Sequence, residues 1–266
     1  MDTIDILCVG EVLVDFIGHQ EGVLINETRD YHRYLGGSPT NVAMNSTRLG
    51  LNTIMVATVG NDGFGSYITE RLSSVGVNTN HLNVLENKST SVIFVSRSEG
   101  TPDFIPYRSA DCCIYEEQIS SEILSHTKIF HTTCFALSKN PAQKTILKKA
   151  QEAHDLGCKL SIDLNYAKKL WKSQKKAFKV IKTYCQIINH WKSETVSLFK
   201  NRHIIFQIGI FHLVKQGLII YLTAKLIPEA DICSPTSVCK GRINISLPFR
   251  FCITNRYYII RTPVNG

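Results

Sequence analysis

The chain has 266 residues, 44% of them hydrophobic and 20% charged, and a formal net charge of +8. These values allow a sizeable buried core and are typical of a globular protein. The nine cysteines include no Cys-x-x-Cys pair, which argues against a zinc site or a disulfide framework and favours a reducing cytoplasm. The acidic start Met-Asp-Thr-Ile-Asp lacks the basic residues of a secretory signal, so we expect no export sequence.

The excess positive charge lies after Gln186, where 10 Lys and Arg residues accompany 3 acidic ones. These basic residues are dispersed singly and form no cluster, so we expect no nucleic-acid partner. The apolar stretch 204–227 is interrupted by Gln, His and Lys, and its uninterrupted runs are too short to span a bilayer. We therefore expect no membrane partner either.

The first elements in chain order are an apolar strand from Ile4 to Leu13 and a helix that starts near Ser38. Two glycines, Gly36 and Gly37, allow a sharp turn before this helix. Ser38 followed by Pro39 predicts an N-cap and a first helical residue. The helix ends at Gly50, and a strand follows from Thr53 to Val59.

Further along the chain, strands continue to alternate with helices. The next helix is capped by Asp62, and its apolar residues at 64, 68, 72 and 75 share one face. The remaining predicted elements are short strands within 82–108, a strand at 128–132, a helix from Asn140-Pro141 to Gly157, a strand at 159–163 and a helix at about 173–184. This alternation predicts an α/β fold whose parallel sheet is covered on both faces.

Seven positions between residues 36 and 60 carry a family resemblance: Gly36, Gly37, Pro39, Asn41, Ala43, Gly50 and Gly60. At these spacings the segment resembles the first signature of the ribokinase (PfkB) family of carbohydrate kinases. The resemblance covers about residues 1–186. It implies a ribokinase-like three-layer sandwich with a mostly parallel central sheet, and a small β lid formed by about 12–36 and 90–108.

The same resemblance implies ATP-dependent phosphorylation of a sugar hydroxyl, with ATP and Mg²⁺ as cofactors and a homodimer formed through the lid. It assigns sugar contacts to Asp15, to the Gly36 and Gly37 backbone, and to Asn41. A carboxylate accepts hydrogen bonds from hydroxyls, and an amide offers donors and an acceptor in one place. Without the family, Asp15 would be interpreted as a turn residue after a strand.

Two later segments also resemble the family. Arg108 lies in Pro-Tyr-Arg-Ser-Ala-Asp, which looks like the fructokinases, and its guanidinium could bind a sugar hydroxyl or a phosphate; a merely solvated arginine is the alternative. Asp163 and Asn165 match a second segment at a strand end, and Asn165 is a predicted sugar contact. The arginine expected two places later is Ala167, followed by a lysine that lacks the planar fork. We interpret Asp62 and His131 as structural.

The family's second signature, Asp-Thr-x-Gly-Ala-Gly-Asp, supplies the catalytic base and the anion hole, and it is absent from this sequence. After Gln186 there is one aspartate, Asp231, with no glycine beside it. No catalytic residue is therefore predicted, and ATP binding by this chain is doubtful. Residues 187–266 are either an out-of-frame tail or a divergent C-terminal domain. The chain is thus a fructokinase-like kinase that lacks a catalytic centre, or a non-catalytic sugar-binding or dimerising remnant.

Overall fold

The computed structural model describes residues 2–98 and 103–188. The strands are β1 (Ile4–Val9), β2 (Leu13–Glu21), β3 (Tyr31–Gly36), β4 (Thr53–Gly60), β5 (Leu82–Leu85), β6 (Val92–Arg97), β7 (Phe104–Tyr107), β8 (Thr127–Thr133) and β9 (Lys159–Asp163). The α-helices are α1 (Ser38–Arg48), α2 (Gly63–Ser74), α3 (Ser121–Ser125), α4 (Ala142–Asp155) and α5 (Gln174–Ile187).

The described part of the chain contains a five-stranded sheet in the order β5-β4-β1-β8-β9. All neighbouring strands in it are parallel. Their carboxyl ends therefore lie at one edge, which is where ligands bind in open α/β sheets. The strands β1 and β4 are almost entirely buried, as expected for a parallel sheet with helices on both faces.

Helices cover the two faces of this sheet and form two apolar clusters. One face packs against α1 and α2, where Ala43, Ile68 and Leu72 are fully buried. The other packs against α3, α4 and α5, which contribute Leu124, Ile146 and Tyr184. The predicted α/β fold with a mostly parallel central sheet is confirmed.

A second sheet in the described residues has the order β3-β2-β6-β7. Its β2–β3 and β6–β7 pairs are antiparallel, and β2 and β6 run parallel. Its strands lie within 12–36 and 90–108, the segments that the resemblance assigns to a small β lid. We call this sheet the lid.

The first predicted strand differs from the observed structure. The predicted strand from Ile4 to Leu13 is wrong as a single element, because β1 ends at Val9 and β2 begins at Leu13. The chain changes sheets at this break. The short strands predicted within 82–108 are present: β5 pairs with β4 and extends the central sheet, and β6 and β7 lie in the lid. The two interpretations of the tail concern residues 187–266, and those after 188 lie outside the described part of the chain.

Candidate functional site

The turn before α1 depends on Gly37. This residue precedes the helix with a φ of 109°, a conformation that L side chains rarely adopt. A Cβ here would overlap the carbonyl oxygen of Glu11 and lie 2.9 Å from Thr40 Oγ1. The close approach of two backbone segments therefore requires glycine. The main-chain N–H of Asn41 donates to Gly37 O at 3.0 Å and closes the first helical turn.

Ser38 was predicted as the N-cap, and this assignment is wrong. Gly37 holds that position, and Ser38 is the first helical residue. The Ser38 hydroxyl donates instead to Asp163 Oδ2 at 2.6 Å, across 125 residues of sequence. A hydrogen bond to an ionised carboxylate is shorter and stronger than one between neutral groups. The Ser38 side chain thus joins the start of α1 to the end of β9.

Asp15 and Gly36 lie against each other at the base of the lid. A Cβ on Gly36 would lie 2.5 Å from Asp15 Cγ, so the missing side chain leaves room for this carboxyl group. Burial raises the pKa of Asp15 to about 6. The residue is half-buried and pairs across the strand with Tyr34. Asp15 thus places a carboxylate acceptor against Gly36, next to the Gly37 turn.

Sequence reasoning missed Glu11, which is 2% exposed. Its Oε1 accepts from the Ser38 main-chain N–H at 3.2 Å, and its Oε2 accepts from the Thr133 hydroxyl at 2.6 Å. Burial raises the pKa of Glu11 to about 8, against the lowering effects of the Thr133 hydrogen bond and of Arg108. The one local signal was a charged residue inside an otherwise apolar run.

At the end of β9, Asp163 is held by two donors. Besides the Ser38 hydroxyl, its Oδ1 accepts the Asn165 main-chain N–H at 3.0 Å. The Asn165 side chain is exposed at this edge, as is that of Asn41 in the first turn of α1. The structure therefore brings the ends of β1, β8 and β9 to the start of α1. The roles of Asn41 and Asn165 in binding stay predictions.

Arg108 is more buried than expected. Its guanidinium is 3% exposed and pairs with Asp111 through Nη2 at 2.6 Å and Nε at 2.8 Å. It also donates to the Ser138 hydroxyl and stacks over the ring of Phe135 at 4.0 Å. The alternative prediction, a merely solvated arginine, is therefore wrong. The planar fork is occupied by Asp111 here, and a sugar contact from Arg108 stays a prediction.

A cleft of about 950 Å³ opens between the lid and the start of α2. Its lining includes Arg33, Asp62, Phe64 and Tyr107, and it shares only Arg108 with the predicted sugar contacts. Asp62 caps α2 as predicted, because its Oδ1 accepts from the N–H groups of Phe64 and Gly65 at 3.0 and 2.9 Å. The cleft is thus distinct from the Asp15 and Gly36 contact.

His131 lies in β8 beside Ser161, whose hydroxyl is 3.0 Å from Nδ1. Burial lowers its pKa to about 4, partly opposed by the charge of Asp163. A neutral buried imidazole in a strand agrees with a structural role. Its Nε2 is buried without a hydrogen-bond partner.

No group of three or more His, Cys, Asp or Glu side chains able to hold a metal ion occurs within residues 2–98 and 103–188. ATP and Mg²⁺ as cofactors rest on the resemblance. No helix in these two ranges is both long enough and apolar enough to cross a membrane.

Together, the fold and this edge define an α/β protein with a β lid beside a polar site at the carboxyl ends of parallel strands. A family model described as pfkB family carbohydrate kinase matches residues 3–202. The chain belongs to this family.

Two curated relatives illustrate the similarity. An ATP-dependent 6-phosphofructokinase of Thermoanaerobacterium thermosaccharolyticum is 35% identical over 167 residues, which is 63% of this chain and 51% of that protein. A fructokinase of Solanum tuberosum is 33% identical over 180 residues, 66% of this chain and 56% of that protein. The chain thus spans about half the length of these relatives.

Two solved structures are also similar to this chain. Halothermothrix orenii fructokinase aligns with a TM-score of 0.63 and 32% identity, over 67% of this chain and 65% of that one. A sugar kinase of Pyrococcus horikoshii in complex with ATP aligns with a TM-score of 0.64 and 31% identity, over 67% and 59% of the two chains.

Proposed function

We propose that this chain is the sugar-binding half of a fructokinase-like carbohydrate kinase, and that it binds a sugar without transferring phosphate. The observation that carries the proposal is the contact of Asp15 with Gly36 beside the Gly37 turn. An acceptor carboxylate, a bare backbone and the first turn of a helix there offer hydrogen-bonding groups suited to a polyhydroxy ligand.

Four groups have separate roles in the proposed site. The ionised Asp15 carboxylate accepts hydrogen bonds from sugar hydroxyls. The two glycines let the sugar ring approach the main chain, and the Asn41 and Asn165 amides complete the contacts from α1 and β9. Arg108, which directly follows the last lid strand, is the remaining proposed sugar contact.

The second candidate function is phosphorylation of a sugar hydroxyl at the expense of ATP. It is favoured by the names of the relatives and by the bound ATP in the similar Pyrococcus structure. Phosphoryl transfer needs positioned charge stabilisation and a base near the hydroxyl. The sequence after Gln186 contains no recognisable signature for either, so we expect little or no turnover.

Calorimetric titration with fructose, fructose 6-phosphate and 2-keto-3-deoxygluconate tests binding, and a coupled assay of ATP consumption tests transfer. Binding without turnover is the expected result. Robust turnover would refute the loss of the catalytic centre, and absence of binding by every sugar would refute the proposed function. Asp15→Ala should abolish binding, whereas Asp155→Asn, at the exposed end of α4, should leave it unchanged.

The nucleotide sequence after the Gln186 codon separates the two interpretations of the tail. An alternative reading frame that encodes an Asp-x-x-Gly-Ala-Gly-Asp helix start would support a frame break. Its absence from every frame would favour a divergent domain. A homodimer through the lid is proposed from the family, and the exposed side chains of Ile105 and Tyr107 on this sheet support it.

A further inference from the structure

Glu11 occupies the short connection between the central sheet and the lid. Burying a carboxyl group is costly unless hydrogen bonds replace those to water. Glu11 has such bonds to two other elements, the Ser38 N–H in α1 and the Thr133 hydroxyl in β8. Its side chain therefore joins the end of β8 to the start of α1.

The main chain of the same residue touches the glycine turn. The Glu11 carbonyl oxygen accepts from the Thr40 hydroxyl at 3.2 Å, and it is the atom that a Cβ on Gly37 would overlap. Residue 11 thus contacts the turn through both its side chain and its carbonyl group. Movement of Glu11 would move the backbone that the sugar is proposed to approach.

The hydrogen bonds continue beyond these contacts. Ser38 donates from its side chain to Asp163 while its N–H donates to Glu11. Thr133 accepts the Ala136 N–H at 3.0 Å. One connected set of bonds therefore links β8, the connection from β1 to β2, α1 and β9 at the carboxyl edge of the sheet.

The protonation state of the Glu11 carboxyl group follows from its surroundings. The nearby charges of Arg108 and Asp111 act on it in opposite directions, and burial favours the neutral acid. A neutral carboxyl keeps both contacts. Its Oε1 still accepts from the Ser38 N–H, and at the 2.6 Å contact a proton on Oε2 can be donated to Thr133, the reverse of the bond that the ionised carboxylate accepts from this hydroxyl. Glutamine offers the same pattern of one acceptor and one donor.

We propose that Glu11 is a positioning residue that holds the Gly36–Gly37 turn and the start of α1 in the geometry that binds sugar. This inference rests on the proposed function. Glu11 itself does not touch the sugar. It acts through the backbone of Ser38 and Gly37.

The test compares Glu11→Gln and Glu11→Ala in the full chain, with fructose titrations at pH 7. The glutamine variant should retain affinity within about threefold, while alanine should weaken it by about tenfold or more, because it leaves the Ser38 N–H without its acceptor. Thr133→Val removes one partner and should give an intermediate loss. Equal affinity of the alanine variant and the wild type, or equal loss in both Glu11 variants, would overturn the proposal.

A control separates positioning from general destabilisation. Glu152 lies in α4, far along the chain from the proposed site. Glu152→Ala removes its hydrogen bonds to Ser121 in α3 and to Lys149 in α4. It should lower the melting temperature without changing fructose affinity. If Glu152→Ala weakened binding as much as Glu11→Ala, the effect would be one of stability, and the positioning role would be refuted.

Hydrogen exchange of the Ser38 amide tests the positioning role without any sugar. Exchange should be about tenfold faster in Glu11→Ala than in Glu11→Gln, since the amide loses its buried acceptor. Identical protection in the two variants would overturn the inference. If the wild type bound no sugar but the exchange differed as expected, the proposed function would fail while the positioning of the turn by Glu11 would stand.

Discussion

Replacement of Gly37 by alanine should destabilise the protein and abolish sugar binding. The φ of 109° and ψ of 127° at this residue are accessible to glycine and strained for alanine. The new Cβ would also overlap the Glu11 carbonyl oxygen, a main-chain atom that cannot rotate away. Relief of the overlap therefore requires movement of the connection between β1 and β2 relative to α1.

Two contributions set the magnitude. The unfavourable backbone conformation costs about 1–3 kcal/mol. Overpacking against a fixed backbone adds about 1–3 kcal/mol. The expected loss in the free energy of unfolding is therefore about 2–6 kcal/mol, a large share of the roughly 5–15 kcal/mol available to a typical domain.

Urea denaturation followed by circular dichroism measures this loss, with two glycine controls. Gly157 has a φ of 89° but open space around its Cβ position, so Gly157→Ala isolates backbone strain. Gly63 begins α2 with neither a positive φ nor a neighbour within 4 Å, so Gly63→Ala should leave stability unchanged or slightly raised. A Gly37→Ala protein as stable as Gly63→Ala would refute the reasoning.

Four further results are expected. Sugar affinity should fall as the pH drops through about 6, where Asp15 becomes protonated, and calorimetry of Asp15→Asn should show no such dependence. The raised pKa of Glu11 means that folding stability is lost as the pH rises from about 4.5 through about 8, so Glu11→Gln should melt higher than wild type at pH 8 and equally at pH 4. Asp103 pairs with Lys169 at the surface, so Asp103→Asn should lower the unfolding free energy in urea by no more than about 1 kcal/mol. Tyr107→Glu should convert a lid-mediated dimer to a monomer in light scattering, and a wild-type monomer at all concentrations would contradict the dimer.

The sequence alone predicted the elements whose signals are local. The bounds of β9, the Asp62 cap and the turn at Gly36 and Gly37 all depend on residues within a few positions of one another. Periodicity, capping side chains and glycine conformations act over one or two turns of chain. These features can therefore be predicted from the sequence pattern without knowledge of any tertiary contact.

The tertiary structure determined which partners the polar side chains form hydrogen bonds with. Ser38 donates to Asp163 rather than capping its own helix, and Arg108 is buried against Asp111 and Ser138. Glu11 took no part in the predicted site, although it contacts the turn at its centre. The partners of Glu11 and Ser38 lie 27 to 125 residues away in sequence, so folding had to bring them together before burial could select these bonds.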